Sequence, residues 1–145
     1  MRQARTSLAA LLLLAGAVLS ACGSSTGPNP PPNFKIEHVA GSSTGRIVLT
    51  ALGAQRDGIQ TVPVAAASGG PTVVIPYGAL IYAPSWATYA FTSPAPLTFT
   101  EVSITVDYIS GSSAYLFHGP PVGTKVVSVG AEELYGVQTG VLAQT

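Results

Sequence analysis

Few residues in this sequence have types and spacing suited to chemistry. Glu101 and Asp107 are carboxylates of a single stretch, and paired carboxylates are the usual equipment for general acid–base work or glycoside hydrolysis. They stand six positions apart in a run that alternates apolar and polar residues. A strand facing water on one side places its charges there, so both read as solvated sheet residues. The two histidines, His38 and His118, have no convergent carboxylate or thiol beside them, so neither a metal site nor a cofactor is expected. The Gly41-Ser42-Ser43-Thr44-Gly45 segment lacks the Gly-Lys-Ser/Thr ending of a phosphate loop and reads as a flexible loop. Cys22 is the single thiol, which forbids a disulfide within the chain. No catalytic residue is singled out, and the expectation is a protein that is not an enzyme.

Cys22 has a setting that gives it another chemistry. Arg2 and Arg5 precede the uncharged run Leu8 to Leu19, twelve residues long. As a helix that run reaches about 18 Å, well short of the roughly 30 Å hydrocarbon core of a bilayer. A positive flank, a short apolar stretch and small residues after it form the grammar of a secretory signal. Leu19-Ser20-Ala21-Cys22 at its end resembles the lipobox of bacterial lipoproteins. That resemblance implies cleavage between Ala21 and Cys22, and a diacylglyceryl group on the Cys22 sulfur. Each buried CH₂ contributes about 0.8 kcal/mol, and two or more acyl chains give a stable anchor where one does not. The expected location is exported and membrane-anchored, facing the periplasm or the outer side of the plasma membrane.

Residues 1–21 are thus expected to be a lipoprotein signal peptide, 22–33 the lipidated Cys and a tether, and 34–145 the folded domain. The segment Gly23 to Asn33 contains only Gly, Ser, Thr, Pro and Asn. It cannot bury enough apolar area to offset the entropy of ordering it, so it reads as disordered. Its prolines favour an extended conformation at about 3.1 Å per residue, a reach of roughly 25 to 35 Å. The chain as a whole carries 8% charged residues, 6 Lys plus Arg against 6 Asp plus Glu. Soluble domains average about 25% charged residues. With no net charge and no basic cluster, nothing is available to neutralise a phosphate backbone, which excludes nucleic acid as a partner.

The elements that must position these side chains are strands. Val102, Ile104, Val106 and Tyr108 alternate with Ser103, Thr105 and Asp107, a period of two. Leu97 and Phe99 have the opposite parity, which predicts one extra residue, a β-bulge, near Thr100 or Glu101. Further strands are predicted over Arg46 to Thr50, Ile59 to Ala66, Thr72 to Ile75, Ala79 to Ala83, Ala87 to Thr92, Ala114 to His118 and Lys125 to Val129. Ser, Gly and Pro clusters separate them. Two very short helices fit, Ala51 to Asp57 capped by Thr50 and ended by Gly58, and Ala131 to Tyr135. The expected fold is all-β, a small antiparallel β-barrel or β-roll. Most aromatic side chains should fill its core, with Trp86 in its turn either partly exposed or folded back as a lid on the barrel end. Interface cores are depleted in charge and enriched in Trp and Tyr, so Trp86 and Tyr77 are the candidate partner contacts.

Several of these segments, in order, carry a family resemblance. Arg46-Ile47-Val48-Leu49-Thr50 followed by Gly58-Ile59-Gln60-Thr61-Val62-Pro63-Val64 resembles the entry to the transporter-proximal part of periplasmic adaptor subunits of resistance-nodulation-division efflux pumps. Val74-Ile75-Pro76-Tyr77-Gly78-Ala79-Leu80 and Gly119-Pro120-Pro121-Val122-Gly123-Thr124-Lys125-Val126-Val127 are similar to that family's middle and closing motifs. The resemblance implies a β-barrel that docks on an inner-membrane efflux transporter or on a full-length adaptor. No segment matches the family's lipoyl-like domain or its long α-helical hairpin. The family's metal-handling members use Met ligands, and here Met1 is the one methionine, so no metal role carries over. The alternative expectation is an envelope lipoprotein whose barrel binds a small hydrophobic molecule.

Overall fold

The computed structural model describes residues 32–38, 45–68 and 72–140, which belong to one compact unit beginning at Pro32. The expected signal, Ala21, Cys22 and the Pro-rich segment up to residue 31 lie outside the described residues.

The unit opens on a hairpin in which β1 (Phe34–Glu37), with no strong signal in the sequence, pairs antiparallel with the expected strand β2 (Arg46–Leu49). Next comes α1 (Ala51–Arg56), whose first turn is capped by the Thr50 hydroxyl, accepting the Gly53 N–H at 3.0 Å. Gly58, with φ +61°, takes the left-handed position that ends the helix. Seven strands form the main run: β3 (Gln60–Pro63), β4 (Ala65–Ala66), β5 (Val73–Pro76), β7 (Thr88–Ala95), β8 (Thr98–Ser110), β9 (Ser113–His118) and β10 (Lys125–Val129). The two-residue β6 (Ile81–Tyr82) adds to β7, and α2 (Ala131–Gln138) closes the described chain.

Strand order is β3-β10-β7-β8-β9-β5-β4, and every neighbouring pair is antiparallel. β3 and β4 stand at opposite ends of that order yet are consecutive in the chain. Val64 joins them, its N–H donating to the Thr124 carbonyl at 2.8 Å and its carbonyl accepting from Gly123 at 2.9 Å. The sheet therefore curls until it nearly closes as an antiparallel barrel.

Where β7, β10 and the first half of β8 run side by side, the sheet buries both of its faces. Inside the barrel, Val64, Ile75, Ala90, Ile104, Leu116 and Val126 form one core. On the outer face, Ile47, Leu49, Phe91, Phe99 and Val127 form a second, covered by Leu134 and Val137 of α2. Neighbours in the chain serve opposite cores: Ala90 and Phe91 in β7, Val126 and Val127 in β10, each fully buried.

Two expectations are corrected, the first by this double coverage. No extra residue sits at Thr100 or Glu101, because the β7–β8 register runs regularly from Thr88↔Ile104 to Thr92↔Thr100. The apolar phase changes because Phe99 fills the outer core while Val102 and Ile104 fill the inner one. Register shifts fall instead between Thr92 and Ala95 of β7, around Pro94, which has no N–H to give a ladder, and further along β8 around Val106, where it pairs with β9. The strand expected over Ala79 to Ala83 shrinks to Ile81–Tyr82, since Tyr77–Ala79 is a 3-10 turn. A Cβ on Gly78 would lie 2.9 Å from the Ser128 carbonyl, so only glycine lets that turn pack on β10.

Candidate functional site

Trp86 is the most exposed large hydrophobic side chain among the described residues, at 90%. Its turn is built by Pro84: the Ala83 carbonyl accepts the Trp86 N–H at 2.9 Å, and the Ala83 N–H donates to Ala87 at 2.9 Å. That geometry places Trp86 at φ +65°, a position usually given to glycine. An L side chain there costs roughly 1–2 kcal/mol. A large aromatic is thus held in the solvent by a backbone that would prefer its absence. Backbone strain of this sort gathers at functional sites.

The expectation that most aromatics fill the core fails. Tyr77, Tyr82, Tyr108 and Phe117 are about half exposed or more, and Phe91 and Phe99 are the buried ones. Small aliphatic side chains fill the barrel, and β9 shows how. Ala114 and Leu116 point inward while Tyr115 and Phe117 take the other face. Tyr108 stacks on Tyr115 across the β8–β9 pair, centroids 4.3 Å apart and rings 11° from parallel. Phe117, 72% exposed, meets His118 edge-on at 4.7 Å.

Strand registers put these residues at one end of the domain. The chain enters at Pro32 beside the Leu49 to Thr98 level of the sheet. Tyr82 pairs with Thr88 at the level of Ile104, and His118, next to Phe117, pairs with Thr105. Tyr77 lies beyond the last pair of the β8–β9 hairpin, its N–H donating to the Ser112 carbonyl at 2.8 Å. At about 3.3 Å per residue the aromatic end begins about 20 Å from the entry end. Cations divide the same way. Lys35, Arg46, Arg56 and Lys125 lie on the entry half, alongside the carboxylates Glu37 and Asp57, whereas the aromatic half carries Asp107, Glu132 and Glu133 with no Lys or Arg among the described residues.

Glu101 and Asp107 are separated along β8 by roughly 20 Å at strand rise, which rules out a joint acid–base pair. Glu101 also departs from the solvated sheet residue expected of it. It is half-buried under α2, where its Oε2 accepts from Gln138 Nε2 at 2.6 Å. Burial holds its carboxyl above the usual range, partly offset by the Gln138 hydrogen bond. Gln138 Oε1 is buried without a partner. The stabilising protonated form is fully present below the ordinary carboxylate pKa and lost as pH rises through the raised one. Glu101→Gln supplies an amide N–H for that orphaned oxygen. It is expected to add about 1 kcal/mol at neutral pH, with the gain vanishing in acid, as urea titrations at several pH values would show.

No family model, curated protein or solved structure matches the chain. Among the described residues, no group of three His, Cys, Asp or Glu side chains is placed to hold a metal, and no helix is long and apolar enough to cross a membrane. Gly41-Ser42-Ser43-Thr44-Gly45 also has the Gly-x-Ser-x-Gly spacing of a nucleophile elbow. Such an elbow turns from a strand into a helix, whereas this segment links the antiparallel strands β1 and β2. Residues 41–44 of it lie outside the described residues.

Proposed function

We propose that the protein is a non-catalytic docking module of the cell envelope, anchored through a lipid on Cys22. Its aromatic end engages an inner-membrane efflux transporter or a full-length periplasmic adaptor. The observation that carries this reading is the separation along the sheet between the entry of the chain and the exposed aromatic end with its carboxylates. A tether attached at one end of a rigid barrel leaves the opposite end free to meet a partner. Trp86, with Tyr77 and Tyr82, supplies large apolar contact area of the kind that dominates interface energetics. The carboxylates suit a partner whose contact surface is apolar with a basic rim.

Packing of Val64, Ile75, Leu116 and Val126 in the barrel interior supports docking over ligand binding inside the barrel.

A photo-crosslinking amino acid at Trp86 or Tyr77 in living cells should capture a transporter or adaptor, while the same group at Lys35 should not. Recovery of neither sinks the docking reading. Trp86→Gly separates contact from folding: it relieves the positive-φ strain, so stability should hold or rise by up to about 1 kcal/mol while crosslinking from Tyr77 is lost. For the anchor, Cys22→Ser should move the protein from the membrane fraction to the soluble one, and unchanged retention would remove the lipid from the proposal.

A further inference from the structure

The outer core has an open end. α2 covers the face of β7 and β10 that carries Phe91 and Val127, and its last turn reaches β8 at Glu101. Beyond that point, toward the entry end, a cleft of about 610 Å³ lies between α1, the Pro94 to Leu97 turn and the start of β10. Its walls are core side chains or their neighbours: Phe99 is buried in the outer core, and Ile59 and Ala54 pack against that core. Leu97 lines it from the turn between β7 and β8, at φ +56° after Pro96.

The β3–β10 register adds a charge at the mouth. Lys125 and Val127 share a strand face, and Val127 belongs to the outer core, so Lys125 projects on the cleft side of the sheet. Thr61, paired with Val127, lies on the same face, and both Lys125 and Thr61 line the cleft. Among the described residues no carboxylate lies within ion-pair distance of Lys125. The volume falls within the range of small-molecule sites, with apolar walls and a few polar groups gathered on one side.

We infer that this cleft binds an amphiphile with one anionic head, a carboxylate or a phosphate. The apolar tail lies against Ile59, Leu97 and Phe99 and extends the outer core. The head meets the Lys125 ammonium and the Thr61 hydroxyl. A free fatty acid and an anionic membrane lipid present the same chemistry. This inference does not depend on the docking reading, which concerns the other end of the domain.

The purified protein should bind dodecanoate saturably in isothermal titration calorimetry. Lys125→Met should weaken that binding by about tenfold or more, the worth of a charge-assisted hydrogen bond, while leaving dodecanol binding unchanged. Leu97→Asp should abolish both, and circular dichroism would verify that each variant is folded. In a parallel arm, flotation with phosphatidylglycerol vesicles against phosphatidylcholine vesicles distinguishes the sources. Lys125-dependent flotation without dodecanoate binding assigns the site to a membrane lipid, and dodecanoate binding assigns it to a free amphiphile. Equal dodecanoate affinity in Lys125→Met, or binding in neither arm, overturns the inference.

Discussion

Phe91→Ala should cost about 3–5 kcal/mol, the usual loss for emptying a buried aromatic site. Phe91 is the largest fully buried side chain, in β7 at the centre of the outer core with Ile47, Leu49, Phe99 and Leu134. Its neighbours cannot collapse into the space, because β7 is fixed from behind: Ala90, on the other face, is also fully buried in the barrel core. Domains of this size have total stabilities of about 5–15 kcal/mol, so the variant would lose about a fifth of its stability or more. Thermal denaturation should show a fall of at least about 10 °C. Phe117→Ala, at a site 72% exposed, should change stability by no more than about 0.5 kcal/mol. Equal losses in the two variants would contradict the burial of Phe91.

The next largest effect is expected at Gly130, which links β10 to α2 at φ +85°. Two penalties coincide there. The left-handed conformation costs an L residue roughly 1–2 kcal/mol. A Cβ would also overlap Ile59 Cδ1 and come within 3.2 Å of the Asp57 carbonyl, and crowding of this sort costs about 1–3 kcal/mol. Gly130→Ala should therefore destabilise by about 2–5 kcal/mol. Gly123 provides the comparison, with φ +87° but nothing within 4 Å of its Cβ position. Gly123→Ala should lose only the conformational share, about 1–2 kcal/mol, and a urea titration of the two variants would measure the difference.

The barrel was legible because turn chemistry at Pro84-Ser85, Pro96 and Gly111 cuts the chain into strand-length pieces. Thr50 and Gly58 likewise mark both ends of α1. The shift of apolar phase in β8 was visible but misread, since parity assigns side chains to two faces without saying that both are buried. The same ambiguity hid the exposed aromatics. In Ala114-Tyr115-Leu116-Phe117 each parity is apolar, and only the packed barrel decides that the smaller pair goes inside. Trp86 stood out because a Pro-Ser turn precedes it. Lys125 did not, because its placement at the cleft depends on pairing with Pro63, distant in sequence. β1 was missed because Phe34–Glu37 is four residues with Lys and Glu, too short and polar for a period to register.

The strands buried on both faces have a consequence for how the domain comes apart. β7, β8 and β10 contribute side chains to the inner core and the outer core alike, so neither can be lost while the other stays intact. Local opening should be confined to the edges: the β1–β2 hairpin, β6 and the last turn of α2. In native-state hydrogen exchange, the amides of Ala90, Phe91, Val126 and Val127 should therefore share a single protection free energy equal to that of global unfolding. The molecule would behave as one cooperative unit despite having two hydrophobic centres.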